Sequence, residues 1–256
     1  AAQLLGALRR RAAGAAGLPA WSSALTTCRE SVHWEHALCL LQDMVAKGPE
    51  PDVISYSVAI SACAGAQHWE HAVLLLADAR RRGVETDVIV FGAAVSACER
   101  GGEWASAVAL LADMRADTLE PNLVTYSAAV SACEKGQQWR RALLLLSRVL
   151  QEGLTPDVVV CNAALSACEK GERWDQALLL LGEVARLRIE PSVITYTAAI
   201  NACQKGQQWQ RALCVFEELP RAAVRPDAVA FAACIAPARA ASGCCRPWSS
   251  SGPRRR

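Results

Sequence analysis

The sequence predicts an all-α solenoid built from helix-turn-helix repeats, and three periodic features carry this prediction. Six tryptophans recur at an interval of 35 residues, and six cysteines and six alanines keep the same interval. They are Trp34, Trp69, Trp104, Trp139, Trp174 and Trp209; Cys28, Cys63, Cys98, Cys133, Cys168 and Cys203; and Ala37, Ala72, Ala107, Ala142, Ala177 and Ala212. Such a period is typical of a stack of supersecondary units, none of which can bury its apolar face alone.

Each unit is predicted to fold as a helical hairpin. In residues 123–157, two apolar segments flank a Gly-Gln-Gln break that begins at Gly136. The first segment is rich in small residues, which allow close helix contact. The second segment starts at Trp139 and carries a wide apolar stripe. Gly153 is predicted to end it as a left-handed cap, and Pro156 prevents its continuation.

Six complete units follow from this pattern. They are residues 18–52, 53–87, 88–122, 123–157, 158–192 and 193–227. A partial seventh unit extends the repeat region to residue 235, and the Gly, Ser, Pro and Arg residues of 236–256 predict a disordered tail.

Residues 1–17 allow two interpretations. Leu4, Leu5 and Leu8 fit the remnant of a preceding repeat. The arginines among alanines and the lack of acidic residues fit an organelle transit segment equally well. Because the chain does not begin with Met, we expect it to be a fragment or a processed product.

Composition excludes several classes of protein. With 52% hydrophobic and 20% charged residues among 256, the chain is not disordered throughout. The formal charge of +2 excludes a polyanion and a strongly basic protein. No apolar stretch reaches the roughly 18 residues that a membrane helix needs, so no membrane partner is expected.

The 35-residue unit resembles the pentatricopeptide repeat. The sixth unit shows the resemblance in Val193 to Ile200, Lys205 with Gly206, Ala212 with Leu213, and Pro226 with Asp227. The tetratricopeptide repeat has 34 residues and fits less well. The resemblance implies a right-handed superhelix whose first helices line a concave groove, and this groove would bind single-stranded RNA at one nucleotide per repeat.

The resemblance also implies which residues touch the bases. Aliphatic residues at the second position of each unit would sandwich a base, namely Ile54, Ile89, Val124, Val159 and Ile194, with Pro19 departing from the pattern. The fifth and last residues would read the base edge in pairs, namely Ser22 with Asp52, Ser57 with Asp87, Gly92 with Asn122, Ser127 with Asp157, Asn162 with Ser192, and Thr197 with Asp227.

For the pairs that end in Asp, base-edge chemistry agrees with the family rule, and the other two assignments follow from what the resemblance implies. An ionised Asp only accepts hydrogen bonds, and guanine offers two donors on its Watson–Crick edge. Asn162 with Ser192 implies cytosine, and Asn122 beside Gly92 suggests adenine. If N-terminal units face the 5′ end, the predicted site is 5′-GG(A)GCG-3′. The alternative is that Asp, Asn or Ser before a helix acts only as an N-cap.

A ladder of cations predicts contacts with phosphate. It stands near the end of the first helix in the third to sixth units and comprises Arg100, Lys135, Lys170 and Lys205, whereas Glu30 and Gly65 hold this position in the first two units. One cation per unit could follow an RNA backbone. The alternative is that each cation only stabilises the negative end of its own helix dipole.

Other residue patterns predict no cofactor and no metal. The periodic cysteines are interpreted as small buried residues, and the tryptophans as core residues that wedge between repeats. His33, His36, His68 and His71 are interpreted as surface residues. No arrangement typical of catalysis is present, so an enzyme is not expected.

The sequence therefore predicts a sequence-selective binder of single-stranded RNA. Its expected role is in RNA processing, stability or translation in a chloroplast or mitochondrion, with other RNA-processing proteins as further partners. A peptide-binding or protein-binding α-solenoid without RNA affinity is the alternative. The oligomeric state is left open.

Overall fold

The computed structural model describes residues 18–30, 33–47 and 49–219, without the side chains of residues 18–20, 30 and 47. These residues form α-helices joined by short connections, and they contain no β-strand. The helices are α1 (Leu18–Glu30), α2 (Trp34–Lys47), α3 (Val53–Gly65), α4 (Trp69–Arg81), α5 (Val88–Gly101), α6 (Trp104–Ala116), α7 (Leu123–Lys135), α8 (Trp139–Gln151), α9 (Val158–Lys170), α10 (Trp174–Arg186), α11 (Val193–Lys205) and α12 (Trp209–Glu218). The prediction of an all-α repeat solenoid is confirmed.

The chain divides into two compact units, and the division falls within α9. The first unit ends at Ala167 and the second begins at Cys168. Residues 1–17, the partial seventh repeat, the tail of 236–256 and Asp227 lie outside the described residues. The proposed repeat boundaries and the right-handed superhelix stay predictions.

Odd-numbered helices, here called the first helices, form one layer of the first unit. Helices α1, α3, α5 and α7 pack side by side in this order. The even-numbered helices are here called second helices. In the first unit, α2, α4, α6 and α8 each pack on the first helix before them, and α2, α4 and α6 also pack on the first helix after them. Close packing is possible because the contacting side chains are small, as in α7, where Ala129, Ala132 and Cys133 are fully buried. In the second unit, α11 packs on both α10 and α12.

Cysteines belong to this small-residue core. Each periodic cysteine is buried and carries a free thiol, which confirms the interpretation of these residues as small buried side chains. Burial raises the pKa of the thiols of Cys63, Cys98, Cys133 and Cys161 to about 11. Thiols that stay protonated at neutral pH are poor nucleophiles and poor metal ligands.

A row of buried aromatic side chains follows the fourth residue of α1, α3, α5 and α7. Its members are Trp21, Tyr56, Phe91 and Tyr126, and Tyr196 is buried at the same position of α11 in the second unit. Tyr126 Oη donates to Glu152 at 2.9 Å, and Glu152 also accepts from Arg115 of the preceding repeat. Arg80 and Asp117 form the equivalent pair at 2.8 Å one repeat earlier. Ion pairs between repeats therefore border the aromatic row.

The periodic tryptophans join consecutive repeats but are not core residues. Trp104 is half-buried, and its indole covers Gly136 of the next repeat. The prediction of core packing was wrong because these indoles are only partly buried, and Trp69, Trp104 and Trp174 lie against a glycine at the end of a neighbouring helix. Arg141 lies over the Trp104 ring, with its guanidinium carbon 4.9 Å from the ring centroid.

Gly136 is required for space and not for backbone conformation. Its φ is −78°, whereas the left-handed residue of this turn is Gln137, with φ 57°. A Cβ at Gly136 would lie 2.2 Å from Trp104 Cδ1. Gly153, by contrast, has φ 73°, which confirms its predicted left-handed conformation. The 35-residue period places a glycine at the end of α7, and the contact with Trp104 explains why a larger residue does not fit there.

We predict that Gly136→Ala destabilises the protein by about 1 to 3 kcal/mol, because the added methyl group overlaps the Trp104 indole. The measurement is urea unfolding followed by circular dichroism. Gly182→Ala is the matched control, since Gly182 lies within α10 and an added Cβ there meets nothing within 4 Å. Equal stability of Gly136→Ala and the natural protein would contradict this account of the glycine.

Candidate nucleic-acid interface

Exposed aliphatic side chains stand at the second residue of five first helices. Elsewhere these helices bury most of their apolar surface, yet these five residues are between 56 and 71% exposed. They are Ile54, Ile89, Val124, Val159 and Ile194. A recurring apolar side chain that the fold leaves in solvent is a feature that marks ligand or partner contact.

The residue that precedes each of these helices is an N-cap. Oδ1 of Asp52, Asp87, Asn122 and Asp157 accepts the backbone N–H three residues later, at 2.8 to 2.9 Å. Ser192 caps α11 through a reciprocal pair of bonds with Thr195. The capping interpretation of these predicted reading residues is therefore confirmed.

Capping uses only one of the two side-chain oxygens. Within the described part of the chain, Oδ2 of Asp52, Asp87 and Asp157 makes no hydrogen bond, because every side-chain bond of these carboxylates uses Oδ1. A carboxylate fixed through one oxygen can still accept a ligand hydrogen bond at the other. The structural role and a reading role are thus compatible in the same residue.

Fifth residues of the units lie on the first helices at half-buried positions. They are Ser22, Ser57, Gly92, Ser127, Asn162 and Thr197. The Thr197 hydroxyl donates to the backbone oxygen of Val193 at 2.8 Å, so its hydrogen is engaged within its own helix. The Thr197 oxygen is therefore left with the capacity to accept a hydrogen bond.

One predicted reading pair converges on a shared neighbour. A Cβ at Gly92 would lie 3.6 Å from Thr125 Oγ1. The same Thr125 oxygen donates to Asn122 Oδ1 at 2.8 Å. Gly92 and Asn122, the fifth and last residues of the third unit, therefore both lie close to the Thr125 side chain, although they are 30 positions apart in the sequence.

Cations predicted to bind phosphate are engaged with the preceding repeat. Lys135 Nζ lies 2.7 Å from Glu99 Oε1 and donates to the Glu99 backbone oxygen at 3.0 Å. Lys205 Nζ lies 3.1 Å from Glu169 Oε1. Arg100 donates to the backbone oxygen of Ala64, which occupies the same repeat position as Glu99. Lys170 ends α9 at the corresponding place.

These glutamates are not among the site residues predicted from the sequence. A periodic acidic position is nevertheless visible there, because Glu99, Glu134 and Glu169 keep the 35-residue interval and each precedes one of the cations. The cation contacts the acid 36 residues earlier, in the neighbouring repeat, and not its sequence neighbour. Only the stacking of repeats reveals that pairing.

Comparison with known sequences decides the family. Residues 74–136 match the pentatricopeptide repeat domain, residues 156–205 match the PPR repeat family and residues 194–223 match the PPR repeat. The chain belongs to the pentatricopeptide repeat family. None of the curated proteins compared matches the chain.

Solved pentatricopeptide repeat structures share the fold. Maize PPR10 superposes with a TM-score of 0.65 at 24% identity, over 87% of this chain and 32% of PPR10. PPR10 in complex with an 18-nt psaJ RNA element gives 0.66 at 24% identity, over 93% and 33%. The PPR domain of Arabidopsis thaliana PRORP1, in complex with tRNA, gives 0.62 at 13% identity, over 70% of this chain and 95% of that domain. The chain thus spans about a third of PPR10.

The histidine pair of the second pentatricopeptide unit, His68 and His71, packs against the tryptophan of the first unit. Trp34 lies 4.1 Å from His68 and 4.9 Å from His71 between ring centroids. The residues that the structure describes contain no group of three His, Cys, Asp or Glu side chains suited to a metal ion. No helix among them is long and apolar enough to cross a membrane.

We predict that Glu99→Gln destabilises the protein by less than about 1 kcal/mol, because both partners of this ion pair are partly exposed. The difference should shrink in high salt, which screens the pair. Urea unfolding at two salt concentrations measures it. Glu120→Gln is the control, since Glu120 is exposed and forms no ion pair with any described residue. A large loss that salt does not change would contradict this interpretation.

Proposed function

We propose that this pentatricopeptide repeat chain binds single-stranded RNA, one base per repeat, along the N-terminal ends of its first helices. The observation that carries the proposal is the repeated pairing of an exposed aliphatic residue with a capping residue two positions earlier. Ile54 with Asp52 and Val159 with Asp157 are examples. An aliphatic side chain can cover the face of any base, and the cap faces the base edge.

Base preference follows from the hydrogen-bonding capacity that the caps retain. Asp52, Asp87 and Asp157 each retain Oδ2 as an acceptor toward the two donors of guanine. Asn162 with Ser192 is assigned cytosine, and Asn122 is assigned adenine. The proposed site is 5′-GG(A)GCG-3′, in which the last guanine depends on Asp227.

To contact phosphate in this proposal, Lys135 and Lys205 must exchange their glutamate partners for phosphate oxygens. Lys135 and Lys205 are 43 and 44% exposed at their side chains, so each can reach a phosphate while its glutamate stays nearby. The glutamates reduce the net positive charge of the surface. We therefore expect moderate affinity and a shallow salt dependence compared with a strongly basic RNA-binding protein.

The neighbouring structures support RNA as the ligand class. Maize PPR10 was solved with an RNA element and the PRORP1 PPR domain with tRNA. We propose that the chain acts by occupying RNA, and not by catalysis, in RNA processing, stability or translation. A chloroplast or a mitochondrion is the proposed location, and other RNA-processing proteins are proposed partners.

Selection from a randomised single-stranded RNA pool tests the proposal. The chain is incubated with the pool at two salt concentrations, and the retained RNA is sequenced. Enrichment of a guanine-rich motif that weakens with salt is expected. Retention of no RNA at either salt would overturn the proposal and favour a groove that binds a peptide or protein.

We predict that Asp157→Asn changes the preferred fourth base from guanine to adenine, with a change in the ratio of affinities of about tenfold. Asn caps a helix as well as Asp, so the bond from the Val160 N–H is kept and stability should not change. Asp157→Ala is the control, because it removes both the cap and the reading oxygen. Competition binding with four RNAs that differ at one base measures the preference. An unchanged preference for guanine would refute the assigned role of Asp157.

A further inference from the structure

Three buried hydroxyl groups lie at the third residue of alternate first helices. Ser55, Thr125 and Thr195 are 0, 1 and 0% exposed, and they are the buried polar side chains of the described part of the chain. Val90 and Val160 hold the same position in α5 and α9 and are fully buried. Thr and Val have almost the same shape. The third residue is therefore buried in each of the helices α3, α5, α7, α9 and α11. A hydroxyl group is present at this position in α3, α7 and α11.

The first two of these hydroxyls bond to the capping residue of their own helix. Ser55 Oγ donates to Asp52 Oδ1 at 2.7 Å, and Thr125 Oγ1 donates to Asn122 Oδ1 at 2.8 Å. In α9, where the third residue is valine, Asp157 Oδ1 accepts only the backbone N–H. Before α3 and α7, the capping side chain therefore accepts from two donors, a backbone N–H and the hydroxyl of Ser55 or Thr125. Before α9, where Val160 has no hydroxyl, it accepts from the backbone N–H alone.

The two donors determine which end of the Asn122 amide faces a ligand. A backbone N–H can only donate, so the atom that faces the Thr125 N–H at 2.9 Å is the amide oxygen. Because the Thr125 hydroxyl donates to the same oxygen, the amide nitrogen is directed away from the helix. Asn122 is exposed, and it presents two N–H donors.

Thr125 is also the neighbour of the other residue of this reading pair. The fifth residue of the third unit is Gly92, which has no side chain, and its Cβ direction leads toward Thr125 Oγ1 at 3.6 Å. Asn122 is therefore the one side chain of the pair, and Thr125 is the group that restrains it. Val124, between these two residues, is 71% exposed and available to a base face.

We propose that Thr125 is a positioning residue that sets the base preference of the third unit by holding the Asn122 amide with its nitrogen outward. This inference rests on the proposed RNA-binding function. A donor-only amide pairs with acceptors such as adenine N1 and cytosine N3, whereas guanine has donors at N1 and N2 and offers it only O6 as an acceptor. The third unit therefore disfavours guanine, and the hydroxyl makes this discrimination sharper.

Thr125→Val tests the proposal because it removes the hydroxyl and keeps the shape. Competition binding uses four RNAs that differ only at the base opposite the third unit. Asn122→Asp identifies this base, since it keeps the cap and should gain guanine there. In Thr125→Val, we expect the discrimination against guanine at this base to fall about three- to tenfold, as loss of one hydrogen bond implies. Discrimination at the other bases should not change.

Two further variants separate positioning from general damage to the fold. Thr125→Ser keeps the hydroxyl, and Ser55 shows that serine makes the same bond, so discrimination should stay within about twofold of the natural protein. Val160→Thr is the reciprocal change, because it supplies a second donor to Asp157 Oδ1. It should sharpen the choice of the fourth base. Thermal unfolding of each variant confirms that it is folded.

The outcomes separate this inference from the function on which it rests. Failure of the natural protein to retain RNA would refute both. Retention of RNA with a base preference that Thr125→Val leaves unchanged would refute the inference alone. Equal losses in Thr125→Val and Thr125→Ser would also refute it, since the hydroxyl would then not be the cause.

Discussion

Close packing of successive first helices is the constraint on which the rest of the structure depends. Small residues such as Ala94, Ala129 and Cys133 are fully buried where these helices meet. Helices that approach closely leave little surface free along their length. The apolar side chain that remains accessible lies in the N-terminal turn, where the second residue is exposed and the capping residue lies beside it. A ligand of the first helices would therefore meet a short aliphatic side chain and a polar cap in each repeat.

The capping residues could combine their structural role with the proposed binding role in one side chain. Asp87 and Asp157 must keep Oδ1 on the helix, because the backbone donors of the first turn have no partner within the helix. This restraint also orders the carboxylate before any ligand arrives, which lowers the entropy lost on binding. Stability and recognition are therefore not competing explanations of these residues.

Charged side chains near the helix ends pair with residues of neighbouring repeats. Lys135 and Lys205 pair with glutamates of the preceding repeats, and Arg80 and Arg115 pair with acids of the following repeats. Each such pair is partly exposed and individually weak, but together they join neighbouring repeats. A cation ladder in the sequence is thus not in itself a free cationic surface. Its availability to phosphate depends on how readily each lysine leaves its glutamate.

Local features of this protein followed from the sequence alone. The 35-residue period, the helices, the capping residues and the left-handed Gly153 are set by short-range preferences and by apolar spacing. The tertiary structure decided what depends on contacts 36 or 37 residues apart. These include the glutamate partner of Lys135 and the Arg141 guanidinium over Trp104.

For Gly136 and Thr125, the sequence alone did not reveal which neighbours the residue contacts. The sequence placed a break at Gly136, but only packing showed that the glycine makes room for Trp104 and that Gln137 makes the turn. Thr125 looked like an ordinary helical residue until its hydroxyl was placed between Asn122 and Gly92. A repeat period fixes which residues are equivalent. The distance and angle between neighbouring repeats decide which of them touch, and those depend on side-chain packing across the whole interface.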